Sequence, residues 1–348
     1  MQYCKNCVTP LNSPVVDSTN DVCNYCLKHQ NVSFRGEKEL LKVIKDNKTR
    51  SKKYDCIVNI SGGRDSSYTL LKLVKDYSLK VLAVNYKNPF TDSQAKRNID
   101  NAVKKLNVDL IQFSLKNNIH ERTLKNNILA WFNNPSAAMV PSICIGCKII
   151  WPGIIKIAKE NDVDLLVNGG NPYEYTSFKK RLLGLNINST LSNTYFLNIY
   201  GLLKEVAKNT RYLNPKYVPV TLKGYLFSNQ YALGSRILAR NFKYLDLFHY
   251  LDWEEKTLLS RIQNELDWNY PKEFNTTWRF DCQISHLKDY MYLKTVGLTE
   301  KNDFYSKLIR EGKISRDTAL KRIEIENKIH YNAIEEIFNK LNITSIQL

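Results

Sequence analysis

The sequence has no apolar run near the roughly 20 residues that a bilayer-spanning helix needs, so no membrane span is expected. Its start, Met1-Gln2-Tyr3-Cys4-Lys5, lacks an apolar signal core, and a cytoplasmic location is the expectation. Internal repeats and low-complexity tracts are missing too, which excludes a solenoid or propeller. Histidine is sparse. His29, His120, His249, His286 and His330 stand at no metal or triad spacing and read as ordinary residues. Acidic residues are few, 34 against 51 Lys and Arg, for a net charge of +17. That surplus suits nucleic acid, an anionic membrane surface or phosphorylated small molecules. The lysines lie scattered among asparagines, however, as in Lys45-Asp46-Asn47-Lys48. Compositional bias accounts for the charge as readily as a binding face does.

What is present is an alternation of short apolar runs and amphipathic stretches. Apolar positions Leu40, Leu41, Val43 and Ile44 mark a helix within residues 34–48. Tyr54 to Ile60 reads as a buried strand, a glycine turn follows, and a helix runs on through Val74. Strand-like Leu79 to Tyr86, helical Asp92 to Leu106 and strand-like Val108 to Phe113 continue the pattern. A helix over Trp151 to Asn161 leads into the strand Val163 to Val167, which ends at Asn168-Gly169-Gly170-Asn171. Such alternation predicts parallel βαβ units in a doubly wound α/β sheet, with ligands at the carboxyl ends of the strands. Beyond residue 200 the pattern is mainly helical. The expected organisation is a small cysteine module over 1–33, a nucleotide-binding α/β domain over 34–200, and a helical substrate or partner region over 201–348.

The turn after the first strand of that domain reads Ser61-Gly62-Gly63-Arg64-Asp65-Ser66-Ser67. Two glycines let consecutive N–H groups face one anion, and the following helix adds its positive end. The hydroxyls of Ser61, Ser66 and Ser67 supply further donors. No G-x-x-x-x-G-K-[ST] occurs, so this is not a Walker loop. It resembles the S-G-G-x-D-S signature of PP-loop ATP pyrophosphatases, which cleave ATP to AMP and pyrophosphate. That resemblance implies an adenine nucleotide alpha hydrolase-like fold, ATP and Mg²⁺ as cofactors, and catalytic roles for Ser61, Asp65 and Ser66. It places Gly62, Gly63, Arg64 and Ser67 in the phosphate cradle, with Asn85 and Gly169 close to the nucleotide.

Cys4-x-x-Cys7 and Cys23-x-x-Cys26 have the spacing of a four-thiolate zinc site. A closed ligand set predicts a structural Zn²⁺ with no open catalytic position. Cys144-x-x-Cys147 with the distant Cys282 is a second group. In PP-loop tRNA-thiolating enzymes a similar trio holds a [4Fe–4S] cluster beside the ATP site. An inert pair with an unrelated buried cysteine, or a Cys144–Cys147 disulfide, accounts for the spacing equally well. Cys56, in mid-strand, reads as a core residue.

Over nearly its full length the chain resembles the bacterial N-acetyl sugar amidotransferases of surface-polysaccharide, pseudaminic or legionaminic acid synthesis. The resemblance is carried by the four-cysteine module, Ile60 to Tyr68, Lys96-Arg97-Asn98-Ile99-Asp100-Asn101 and Cys144-x-x-Cys147. Near the C-terminus it is carried by Phe280-Asp281-Cys282, Leu287-Lys288-Asp289-Tyr290 and Ile309 to Arg316. Arg64 stands where the family often has lysine, and Gly170 where it more often has an acidic residue. The resemblance implies conversion of the acetamido group of a nucleotide-activated sugar to an acetamidino group, through adenylylation by ATP and attack by ammonia. No glutaminase nucleophile elbow is recognisable, so a partner glutaminase, with a synthase-like subunit, is expected to supply the ammonia. Arg279, Arg310 and Arg316 are candidates to hold phosphate or carboxylate of the sugar nucleotide. The competing reading is a PP-loop tRNA sulfurtransferase that uses the same activation with sulfur as nucleophile. A third is a zinc-ribbon adaptor that only binds nucleotide. Under the first reading, no membrane or nucleic-acid partner is expected.

Overall fold

The computed structural model describes residues 2–48, 52–184, 191–346 and 348, with the backbone alone for 191–199. The chain opens with a hairpin of β1 (Ser18–Thr19) and β2 (Val22–Cys23). Its turn residues, Asn20 and Asp21, have φ of 50° and 62°, the left-handed pair that a two-residue type I′ turn requires. Two helices follow, α1 (Asn24–Leu27) and α2 (Glu37–Asn47).

The sheet then begins with β3 (Cys56–Asn59), α3 (Arg64–Lys75), β4 (Val81–Tyr86), α4 (Ser93–Leu106) and β5 (Asp109–Phe113). Next come α5 (Ile119–Asn133), α6 (Trp151–Glu160) and β6 (Leu165–Asn168). Helices α7 (Lys179–Leu182), α8 (Leu191–Lys208), α9 (Val218–Leu226) and α10 (Leu233–Leu238) precede β7 (Lys243–Asp246). The remainder is helical: α11 (Glu255–Leu266), α12 (Ile284–Val296), α13 (Glu300–Arg310), α14 (Arg316–Glu326) and α15 (Tyr331–Lys340).

The strand order is β5-β4-β3-β6-β7, and every pairing is parallel. Side chains alternate across it. Cys56, Val58, Val81, Ala83, Leu165 and Val167 join the core under α3, α4 and α11. Ile57, Leu82, Val84 and Leu166 pack on the other face against Trp151, Ile154, Ile155 and Ala158 of α6. This period of two, buried on both sides, makes the strands read as continuous apolar runs. The α/β sheet, the N-terminal cysteine cluster and the helical C-terminal region are those the sequence predicts.

Two features differ from expectation. β7 lies within the stretch read as mainly helical, because Lys243-Tyr244-Leu245-Asp246 is too short to show a period. The cysteine module is not separate either. Cys4, Cys7, Val15, Val16, Cys23 and Tyr25 share one core with Ile334, Ile337 and Phe338 of α15.

Candidate functional site

The strand order reverses direction between β3 and β6, and a cavity of about 680 Å³ opens at their carboxyl ends. Open α/β sheets bind ligands at such switch points. Ser61, Gly63, Arg64, Asp65, Ser66, Asn85 and Gly169 all line it.

The loop conformation follows from its glycines. Gly62 has φ of 82°, and a Cβ there would stand 2.1 Å from the Ala95 carbonyl oxygen. Its own carbonyl accepts hydrogen bonds from Trp268 Nε1 at 3.0 Å and Asn98 Nδ2 at 3.1 Å. These contacts fix the turn. Gly63 is the N-cap of α3, so the N–H groups of the first turn have no intrahelical acceptor and offer themselves to an anion. Ser61 Oγ and Ser66 Oγ lie 3.2 Å apart. The Gly63 N–H donates to Ser61 Oγ at 3.3 Å, and Ser66 Oγ donates to the Gly63 carbonyl at 3.2 Å. Ser67 is fully buried beneath the loop, and its hydroxyl has no hydrogen-bond partner among the described residues.

Asp65 is held from three directions. Oδ1 accepts from Trp253 Nε1 at 3.0 Å and from Arg64 Nε at 3.1 Å, and Oδ2 accepts from Asn171 Nδ2 at 2.7 Å. Arg64 turns its guanidinium into an acidic nest. It meets Glu255 at 3.1 Å and Glu174 at 3.4 Å, with the rings of Trp253 and Phe304 at 4.8 and 5.3 Å. Its backbone belongs to the loop while its charge is spent on the fold. Asn85, at the end of β4, donates to the Ile60 carbonyl at 2.8 Å and so ties the adjacent strand to the loop.

A second part of the cavity wall is built from cysteine. Cys144, Cys147 and Cys282 all line it, with the first two sulfurs 3.3 Å apart. Asn88 Nδ2 donates to Cys282 Sγ at 3.3 Å and points to Cys147 Sγ at 4.0 Å. An antiparallel bridge between Thr91 and Cys282 brings the distant cysteine in. His120 is not an ordinary residue. Its Nε2 lies 2.9 Å from Cys144 Sγ and its Nδ1 2.8 Å from the Tyr86 hydroxyl. His120, Cys144 and Cys147 form a group that could hold a metal ion. His120 and Cys144 are 24 residues apart, so no local spacing announced the contact.

The remaining wall is charged. Arg279 donates to Glu300 at 2.9 Å and lies 3.5 Å from Glu174. Burial raises the pKa of Glu174 against the charge of Arg279, and likewise raises that of Asp281 against a hydrogen bond from Ser61. Glu300 behaves oppositely. Its burial is more than offset by Lys179 and Arg279, and it stays well below the usual carboxylate range. Perturbed carboxyls in a cleft are candidates for function, and Asp281 entered the sequence reading only within Phe280-Asp281-Cys282, with no site role assigned. A Cβ at Gly63 would come within 3.3 Å of its Oδ2, so this carboxylate abuts the loop. Desolvation, with Lys288 and Lys179 nearby, lowers the pKa of half-buried Lys148 to about 8.

Arg310 and Arg316 lie elsewhere. Neither lines the cavity. Arg310 reaches Cys26 Sγ at 3.7 Å, and Arg316 donates to the Cys4 carbonyl at 3.0 Å and to that of Cys7 at 3.3 Å. Their positive charge serves the four-cysteine cluster, in which Cys4–Cys26 and Cys7–Cys23 sulfurs lie 3.9 and 3.7 Å apart. Tetrahedral zinc with bonds of about 2.3 Å separates its sulfurs by about 3.8 Å. Cys4, Cys7, Cys23 and Cys26 thus form a group able to bind a metal ion.

Residues 248–348 match the family described as "LPS biosynthesis protein WbpG-like, C-terminal domain". None of the curated proteins compared with the chain matches it. Among solved structures, NMN synthetase from Francisella tularensis is similar over 47% of this chain and 68% of its own, at 12% identity and a TM-score of 0.29. The U34-tRNA thiolase NcsA from Methanococcus maripaludis, solved with its [4Fe-4S] cluster, is similar over 100% of this chain and 90% of its own, at 13% identity and a TM-score of 0.36. Among the described residues, no helix is long and apolar enough to cross a membrane.

Proposed function

We propose that the chain is an ATP-dependent amidotransferase that converts the acetamido group of a nucleotide-activated sugar to an acetamidino group. The observation that carries this reading is the Ser61–Ser67 loop, set on the N-terminus of α3 at the switch point of the sheet, with Asp65 held beside it. The match of residues 248–348 to a lipopolysaccharide-biosynthesis family supports a sugar substrate.

An amide carbonyl is a poor electrophile, and its oxygen is a poor leaving group. Attack of that oxygen on the α-phosphorus of ATP breaks the α–β P–O bond and releases pyrophosphate. Ammonia then adds to the activated carbon, the C–O bond breaks, AMP departs, and loss of a proton gives the amidine. The N–H groups of α3 and the hydroxyls of Ser61 and Ser66 would hold the departing phosphates. Asp65, together with Asp281, would hold Mg²⁺, which supplies charge neutralisation at phosphorus. Ammonia would come from a partner glutaminase. The four N-terminal cysteines would hold Zn²⁺ as a structural ion, since their closed set leaves no catalytic position.

The second reading, sulfur transfer to tRNA, is favoured by one observation: Cys144, Cys147 and Cys282 line the cavity that contains the loop. A [4Fe–4S] cluster on them would supply sulfur chemistry.

The deciding experiment incubates UDP- and CMP-linked N-acetyl sugars with protein, Mg-ATP and ammonium, then follows sugar mass and AMP together. Replacement of O by NH with one AMP per sugar establishes the amidotransferase. An unchanged sugar, with AMP release stimulated by tRNA, overturns it in favour of the sulfurtransferase.

A further inference from the structure

Charges around the cavity are not evenly matched. Glu300 is taken by Lys179 and Arg279, and Asp289 by Lys301 at 2.8 Å. Glu174 faces Arg64 and Arg279. Two cavity-lining ammonium groups are left over, since neither Lys148 nor Lys288 forms an ion pair among the described residues. The ammonium of Lys148 stands over the ring of Tyr225, 5.1 Å from its centroid. Both side chains are half-buried. A cation withdrawn from water with no carboxylate in contact is destabilised, and a second cation nearby adds repulsion; the Cys144 and Cys147 sulfurs beside Lys148 offset part of this. An arriving anion relieves both.

Position adds chemistry to charge. Lys288 and Ser285 are three residues apart on α12, so they share one helical face, and both line the cavity. Lys148 comes from the turn before α6. An ammonium pair with a hydroxyl suits a flexible phosphate ester better than a flat carboxylate, which arginine would hold in two bonds. The loop at Ser61–Ser66 is a separate anion site, built from backbone.

We propose that Lys148 and Lys288 form a second anion subsite, which takes the phosphate or diphosphate linking nucleoside to sugar while ATP occupies the loop. The subsite rests on the reading of Ser61–Ser67 as the ATP loop, and it gives one cavity two different nucleotides.

Calorimetry on the full chain tests it. The loop is first saturated with α,β-methylene-ATP and Mg²⁺, and UDP or CMP is then titrated. Binding of either to the saturated protein is expected, and the tighter of the two identifies the carrier. Lys148→Gln and Lys288→Gln should each weaken that second event roughly tenfold and leave α,β-methylene-ATP affinity unchanged. Lys288→Gln is the cleaner variant, being remote in sequence from Cys147.

Three outcomes overturn the proposal. One is competition of UDP and CMP with α,β-methylene-ATP for one site. Another is wild-type affinity for both in the double variant. The third is a variant effect confined to tRNA binding or to bound iron, which would make the lysines partners of RNA or of the thiolates. Failure of α,β-methylene-ATP to bind at all would count against the loop instead. The lysine variants would still be read by titrating UDP and CMP alone.

Discussion

Gly169 lies against the backbone of Asp65, so closely that a Cβ on the glycine would stand 2.7 Å from the Asp65 carbonyl carbon and oxygen. The end of β6 and the first turn of α3 therefore touch through backbone alone. The separation between the two elements that flank the switch point is set by a missing side chain.

Gly169→Ala should force that contact open. The expected cost is about 1–3 kcal/mol of stability, read by urea denaturation. AMP formation should fall more than stability does, because the N–H groups of the loop are re-aimed.

Asp65→Asn separates charge from position. The side chain keeps its size, yet AMP formation should drop by two orders of magnitude or more while far-ultraviolet circular dichroism stays unchanged. Turnover at the wild-type rate would sink the assignment of the loop.

Arg64→Lys looks conservative and should not be. The guanidinium reaches Asp65 through Nε, Glu174 through Nη2, and both Glu255 and the Thr277 hydroxyl through Nη1. One ammonium cannot span that set, and the carboxylates left uncompensated should lower stability by about 3 kcal/mol. A melting temperature equal to that of the wild type would show that the nest is held by other contacts.

Chelation of the metal expected at Cys4, Cys7, Cys23 and Cys26 should lower the thermal midpoint by about 5–10 °C. Arg310 and Arg316 of the C-terminal helices then lose the surface they dock on. Metal content by mass spectrometry and melting by calorimetry check this together. A metal-free chain that melts unchanged would remove the structural role.

Acid should destabilise the protein earlier than carboxylates alone would cause. Burial, with Lys301 and His330 nearby, holds the His286 imidazole down to about 3. An unfolded histidine titrates near 6.5, so the unfolded chain binds the extra proton between these values. This contribution is complete above pH 6.5 and is lost as pH falls toward 3. By pH 5 the loss is about 2 kcal/mol. His286→Phe, which keeps a ring against Phe274, should flatten that part of the profile. An identical slope in the variant would assign the effect to other groups.

The loop was legible because its signal is local: an apolar strand, two glycines and a helix start within a dozen residues. The four N-terminal cysteines were legible for the same reason. His120 was not, since its contact with Cys144 is made by the fold, and nothing in its neighbours distinguishes it from a core histidine. Arg279, Arg310 and Arg316 show what residue type leaves open. One faces the cavity and two face the cysteine module, and no property of arginine tells these apart. Asp281 joined the site only when the segment before α12 folded back against the β4–α4 connection.

The cysteine module meets its docking helices across nearly the whole chain. Val8 N–H donates to Ser306 Oγ, Asn302 donates to the Val8 carbonyl, and Arg316 clasps Cys4. At common synthesis rates, those helices emerge roughly 15–60 s after the cysteines do. For that interval four thiols and a polar hairpin must wait on the ribosome without the surface that later covers them. Early capture of a metal ion by the four cysteines would protect them from oxidation and mispairing until those helices arrive.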